Sequence, residues 1–386
     1  MTLPLYGNES IANLMASLVQ GLGGSATGYV PLPHLLPAEV AEYRHVVLMV
    51  VDGLGCEFLC RKRRRSSLEG LCRARLTSVF PSTTAAAITT FLSGVAPQQH
   101  GLSGWHMYFR ELGAVLAVLP GAPRYGGVSL KQAGVDVSRL LGSCSVFDRV
   151  PAETHTVLPR RLAATDFNLA YQGTSQVRPY DTQDDFFLGV AKLLRTGRDR
   201  SFVYAYWPDL DRISHECGTF SAETEWHFTS WEEGFRRFLK YVEGTGSLIL
   251  VTADHGFIDT EAAHTIELDD HPELARCLAL PLCGEHRVAY CYVKPDCREP
   301  FERYVRTELA DAAELHRSAD LIEQGWFGLG TAHPRLAERV GDYTLVMRDN
   351  YIIRDWLPDE PRFEQIGVHG GISEAEMRVP LIVATA

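Results

Sequence analysis

Four unbroken aliphatic runs that end abruptly in polar residues constrain this chain most: "HVVLMVVDGLG" at 45–55, "SFVYAYW" at 201–207, "SLILVTADHGF" at 247–257 and "VPLIVAT" at 379–385. None alternates apolar with polar, so each needs cover on both faces. That is the condition of a parallel strand between two layers of helices. Helical patterns lie between and before them: "SIANLMASLVQGLGG" (10–24), "DTQDDFFLGVAKLLRTG" (181–197) and "ETEWHFTSWEEGFRRFLKYVEGTG" (223–246). Strands alternating with helices predict an α/β fold, a doubly wound and mostly parallel sheet with helices on both faces.

The block 259–340 breaks this rhythm. "RVAYCYVKP" reads as a strand, and "REPFERYVRTELADAAELHRSADLIEQGWFG" as helix and turn. The expectation is a core from 1–258 and 341–386 with a small inserted cap over 259–340. The Gly/Pro-rich interval "VLPGAPRYGGVSL" (118–130) is expected to be a loop near the site. With 386 residues and 46% hydrophobic content, the chain can fill such a core. Its net charge of −11 speaks against a nucleic-acid partner, which needs a basic surface. A small anionic substrate remains open, because a bound cation can supply positive charge locally. Nine cysteines at irregular spacing, with no CxxC pair, speak against a structural zinc knuckle. No stretch approaches the roughly 18 apolar residues of a membrane span, and the N-terminus lacks a signal-like pattern. The chain reads as soluble, reduced and cytoplasmic, without a membrane partner.

In such sheets ligands bind at the carboxyl ends of the strands. Asp52 follows one run and Asp254–His255 follows another, so parallel strands bring them to one edge. Gly256 is expected to let the backbone turn there. In "YWPDLDRISHECG", Asp211 and His215 are four apart and share a helix face. His369 precedes two glycines and the last strand. Three carboxylates and three imidazoles suit two divalent cations, zinc first and manganese second. "VFPSTTAAAITTFLSG" (79–94) predicts a helix capped by Ser82 or Thr83 and closed by Gly94. Thr84 then lies in its first turn, where free N–H groups favour an anion. A hydroxyl there, beside a metal, is placed to act as a nucleophile.

Taken in order, "VVDGLG", "FPSTTAAAITTFLSGVAPQQHGLSG", "DLDRISHECG", "TADHGF" and a late "HGG" resemble the alkaline phosphatase superfamily. Within it they resemble the nucleotide pyrophosphatase/phosphodiesterase family. The resemblance implies an alkaline-phosphatase-like fold and a two-metal hydrolase of phosphodiesters or nucleotide pyrophosphates, acting on a small phosphate-ester or nucleotide substrate. It implies that Asp52, Asp254 and His255 hold one metal, which also contacts Thr84, and that Asp211, His215 and His369 hold the other. It implies a phosphothreonine intermediate on Thr84 rather than Thr83, and a ligand role for Asp211 rather than Asp209. Two positions depart from the family. Many eukaryotic members have Lys where Thr83 stands, and an Asn that contacts the phosphoryl oxygen where Trp105 stands. These departures bear on substrate class more than on reaction type. Trp105, His106 and Tyr108 are candidate pocket residues able to stack on an aromatic leaving group.

The rival readings are a phosphonate hydrolase or phosphomonoesterase of the same superfamily, and a non-catalytic metal- or phosphate-binding protein. A sulfatase is disfavoured because "PSTTAAA" lacks its modified Cys or Ser context, and a cofactor-independent mutase because it uses serine. His100 reads as structural and Cys217 as packing, and His264 and His271 as cap residues rather than ligands.

Overall fold

Strand His45–Val51 is buried at every position and sits at the centre of a seven-stranded sheet. The computed structural model describes residues 1–61, 66, 68–142, 144–358 and 360–386. The strands lie in the order Cys72–Thr77, Arg378–Thr385, Ser247–Thr252, His45–Val51, Ser201–Trp207, Glu153–Pro159, Gln176–Tyr180. His45–Val51 pairs in parallel with both its neighbours, and so does Glu153–Pro159. Ser201–Trp207 and Ser247–Thr252 are also buried throughout, which requires cover on both faces. The fold is α/β and this sheet is mostly parallel, as the unbroken apolar runs predict. Arg378–Thr385 is the exception and runs antiparallel to both neighbours. The chain enters it from the loop around His369, at the carboxyl edge, with no long crossover to carry it back to the other end.

The expected helices form with their own start signals. Ile11–Gly21 begins at a capping box between Ser10 and Asn13, and packs on Thr84–Ser93. Gln183–Thr196 begins at a box between Thr182 and Asp185, and packs beside Ala222–Tyr241, which Ser221 caps.

A second seven-stranded sheet has the order Ala313–Arg317, Tyr343–Met347, Val288–Cys291, Cys283–Gly284, His106–Phe109, Ala114–Ala117, Ala122–Pro123. Its neighbours pair antiparallel throughout. Three separate stretches of chain build it, two of them outside 259–340. Within the segment expected to be helix and turn, Arg298–Glu308 is a helix, but Ala313–Arg317 is a strand. Its partner, Tyr343–Met347, comes from beyond the block, so tertiary pairing overrides local pattern.

Candidate active site

The carboxyl edge of the first sheet gathers the acids and imidazoles. Asp52 follows His45–Val51 directly, and Asp254 and His255 follow Ser247–Thr252. Asp211 and His215 lie on helix Asp209–Cys217, which begins just after Ser201–Trp207. His369 arrives on the loop before the last strand. Nε2 of His255 lies 3.3 Å from Oδ1 of Asp52, 3.4 Å from Oδ2 of Asp254 and 3.9 Å from Oδ1 of Asp211. Oδ1 of Asp211 is 3.4 Å from Nε2 of His215 and 3.7 Å from Nε2 of His369. The rings of His255 and His369 stack with centroids 3.6 Å apart.

Two tight ligand groups result, each with its donor atoms within 4.8 Å of one another: Asp52, Asp254 and His255, and Asp211, His255 and His369. The first is the trio the resemblance implies. In the second, His255 is closer in than His215, which reaches the cluster through Asp211.

The donor chemistry fits cations. Oδ1 of Asp52, Oδ1 of Asp211 and Oδ2 of Asp254 are buried without a hydrogen-bond partner. Such atoms are costly unless something positive meets them. Each histidine turns Nδ1 to a backbone carbonyl: His215 to Gly367 at 2.7 Å, His255 to Gly256 at 3.1 Å and His369 to Ser82 at 3.2 Å. A proton on Nδ1 leaves the Nε2 lone pair facing inward, the orientation of metal-bound imidazoles. The other oxygens of Asp52 and Asp254 are already used. The Tyr206 hydroxyl donates to Oδ2 of Asp52, and the N–H groups of Gly53 and His255 donate to Oδ1 of Asp254 at 3.1 and 3.0 Å.

Burial, with Asp211 and Asp254 close by, pushes the Asp52 carboxyl well above its usual range. Burial, with His255 and His215 close by, pushes His369 well below its own. Burial works against Asp211, but His215 outweighs it and holds the carboxyl below the usual range. Burial likewise works against His215, but Asp211 outweighs it and raises the imidazole. Acids that resist ionising side by side call for a positive charge among them, which a divalent ion would supply.

Thr84 is the first residue of helix Thr84–Ser93, and its Oγ1 lies 3.1 Å from Nε2 of His255. The Thr83 hydroxyl turns elsewhere. It makes no capping bond and donates to Oε1 of Glu285 at 2.5 Å. Of the two threonines, Thr84 is therefore the one beside the ligands.

Gly256 has a different reason from the one expected. It is not among the glycines with positive φ. A Cβ there would lie 2.0 Å from the Ala375 carbonyl oxygen and 2.9 Å from Cα of Gly55. Close approach of three loops excludes a side chain. Gly256→Ala is expected to destabilise the fold by about 1–3 kcal/mol and to displace Asp254 and His255. Urea unfolding and metal content measure the two effects.

Thr84, Asp211, His215 and His369 open onto a cleft of about 630 Å³, lined also by Trp105, His106, Arg124, Glu285 and Phe363 among others. Tyr108 is not among its lining residues and packs edge-on against Tyr292. It stands two residues beyond His106 on the same strand, too far along to reach the cleft. His100 holds a turn: its Nδ1 accepts the Leu102 N–H at 3.1 Å and its Nε2 lies 3.2 Å from the Thr90 hydroxyl. His264 pairs with Glu261, and His271 with Tyr304.

Sequence reasoning missed Glu285, Arg124 and Gln365. Arg124 falls in the Gly/Pro interval, and Gln365 reaches His215 at 3.1 Å from the loop before His369. Glu285 accepts the Trp105 N–H at 2.6 Å as well as the Thr83 hydroxyl, and burial pushes its carboxyl up to about 7. A signal for it was the charged turn "GEHR" before a strand.

A helix-start hydroxyl among metal-competent ligands, at the carboxyl edge of an α/β sheet, is the arrangement of metal-assisted hydrolases. The sequence profile of the type I phosphodiesterase / nucleotide pyrophosphatase family matches residues 46–371. The chain belongs to that family and is a hydrolase of the phosphodiesterase/pyrophosphatase class. Its fold is similar to murine ectonucleotide pyrophosphatase/phosphodiesterase 5, solved as an inactive variant in complex with AMP (TM-score 0.65, 16% identity, 87% of each chain). It is also similar to the human protein of that name (0.64, 15% identity, 88% of this chain and 87% of the other). Phosphonoacetate hydrolase from Sinorhizobium meliloti 1021, in complex with phosphonoformate, is a further likeness (0.59, 18% identity, 89% of this chain and 90% of the other). Comparison with curated protein sequences gave no match.

Proposed function

We propose that this chain hydrolyses phosphodiesters or nucleotide pyrophosphates through a phosphothreonine on Thr84, with two divalent cations held by Asp52, Asp254, His255 and Thr84 and by Asp211, His215 and His369. The observation that carries the reading is the set of three partnerless carboxylate oxygens facing inward-turned imidazoles, with the Thr84 hydroxyl 3.1 Å from His255. When bound, the cations supply charge stabilisation of the oxygens on phosphorus and lower the pKa of hydroxyl and water. Zinc is the first choice for an Asp/His donor set, and manganese the second.

The residues of the chain do the rest. Thr84 loses its hydroxyl proton to solvent in the cleft, and its Oγ1 forms a bond to phosphorus as the bond to the leaving oxygen breaks. The helix start behind Thr84 favours the charge that gathers on the phosphoryl oxygens. Water then breaks the Oγ1–phosphorus bond, returning Thr84 and releasing the phosphate product. Gly367, Gly256 and Ser82 carbonyls keep the three imidazoles oriented throughout. The aromatic rings of Trp105 and Phe363 line the cleft and offer stacking surface to a leaving group, and a nucleotide suits both this wall and the AMP held by the murine structural relative.

A phosphonate substrate is the second reading, favoured by the likeness to phosphonoacetate hydrolase. The cleft supports it less well. A substrate carboxylate needs a free cation, and Arg124 is already held by Glu360 and by the carbonyls of Leu282 and Asp355. Nine free thiols favour a reducing setting, in keeping with the cytoplasmic expectation. No helix among the described residues is long and apolar enough to cross a membrane.

Hydrolysis of bis-p-nitrophenyl phosphate and p-nitrophenyl phosphate, with and without chelator, tests the reading. Diester turnover is expected to vanish on chelation and to return with zinc or manganese. Turnover that survives complete metal removal sinks it, and bound metal without turnover of any ester supports a binding protein instead.

A further inference from the structure

We propose that Glu285 is a charge filter, which makes this cleft select a singly charged phosphodiester over a doubly charged phosphate monoester. The inference rests on the hydrolase reading above and adds the residue that would set its preference for diesters. Glu285 follows the short strand Cys283–Gly284 in the second sheet and faces the cleft beside Thr84. Its Oε1 takes two donors at once, the Thr83 hydroxyl at 2.5 Å and the Trp105 N–H at 2.6 Å. Two donors converging on one oxygen next to the nucleophile mark the place where an oxygen on phosphorus would otherwise be received. In this chain the protein's own carboxylate fills that place. A substrate oxygen cannot use those donors without displacing it.

His215 favours the Glu285 charge from among the candidate ligands, but the groups on its own wall do not offset it. Burial pushes His106 down to about 3 and His286 down to about 4, so both rings on this wall are neutral. Arg124 is already matched by Glu360, at 2.9 Å. A phosphodiester brings one negative charge to the phosphoryl group and a monoester brings two. The second charge meets Glu285 inside a partly dry cleft, where salt screens poorly. The repulsion therefore falls on monoesters, including the monoester that diester hydrolysis leaves behind, and on inorganic phosphate.

The test compares wild type, Glu285→Gln and Glu285→Asp as full-length, metal-loaded chains at mildly alkaline pH, where the carboxyl is ionised. The readouts are the ratio of kcat/KM for bis-p-nitrophenyl phosphate over p-nitrophenyl phosphate, and the affinity for inorganic phosphate by calorimetry. Glu285→Gln is expected to lower the ratio by about tenfold or more, chiefly through a faster monoester reaction, and to tighten phosphate by a similar factor. Glu285→Asp keeps the charge and is expected to keep most of the discrimination. An unchanged ratio and unchanged phosphate affinity in Glu285→Gln overturn the proposal. So does an equal loss in Glu285→Asp, which assigns the effect to packing. If wild type turns over neither ester, the hydrolase reading fails by itself; phosphate affinity then decides, and equal affinity in wild type and Glu285→Gln overturns the filter too.

Discussion

Thr84→Ala is expected to lower diester turnover by on the order of 10⁴-fold while the protein keeps its fold and its metals. The fold is safe because alanine suits the first turn of helix Thr84–Ser93, whose N-cap is Thr83. The metals are safe because six other donors remain. What disappears is the hydroxyl 3.1 Å from Nε2 of His255, and with it the proposed covalent intermediate. Acid quenching of wild type during turnover should yield a peptide phosphorylated at Thr84 by mass spectrometry, and Thr84→Ala should yield none. Thr83→Ala is the informative comparison. It frees Glu285 but leaves the nucleophile, so it should stay far more active than Thr84→Ala. Equal losses in the two variants would contradict the assignment.

Arg287→Met is expected to cost about 3–5 kcal/mol of stability, read by urea unfolding. Arg287 and Glu376 form a fully buried pair, with Nε–Oε1 at 3.0 Å and Nη2–Oε2 at 3.1 Å. Removing the guanidinium strands a carboxylate in the core. The second effect concerns the site. Oε1 of Glu376 also accepts the Gly371 N–H at 2.7 Å, two residues after His369. The Glu376 carbonyl accepts the Gly256 N–H at 2.8 Å, one residue after His255. Arg287 meanwhile donates to the carbonyls of Arg348 and Tyr351 at 3.2 and 2.5 Å. One ion pair thus steadies two ligand loops and the second sheet, so metal affinity should fall with stability.

Acid should mimic the loss. Burial raises the Glu376 carboxyl, but Arg287 outweighs it and holds the folded-state pKa below its ordinary value. The pair's stabilisation is therefore complete above the unfolded pKa of about 4.3 and fades as pH falls through the folded one.

The centre of the site was legible because strand-end logic converts sequence into position. Asp52 and Asp254 each close an aliphatic run, and parallel pairing does the rest. The four-residue step from Asp211 to His215 carried its own geometry. Thr84 and His369 needed more, since hydroxyls at helix starts and histidines before glycines are common, and only the ordered set of motifs singled them out. The cleft's far wall was not legible. Glu285 and Arg124 join Thr84 at the cleft through a sheet in which Gly284 pairs with His106, from a distant stretch of the chain. No local period or spacing encodes such a meeting. Tyr108 was misplaced for the same reason: it was expected as a pocket residue, without the strand pairing that fixes which part of 106–109 meets the cleft.

That sheet has a practical corollary. A fragment spanning 259–340 would carry three of its seven strands, Cys283–Gly284, Val288–Cys291 and Ala313–Arg317, and leave the other four behind. The hairpin His106–Phe109/Ala114–Ala117, which helps line the cleft with Thr84, belongs to the same hydrogen-bonded surface as the distal block. Transplanting the block into a relative to change substrate preference should therefore yield frayed, aggregation-prone edges, and a successful graft has to carry residues 106–123 and 343–347 with it.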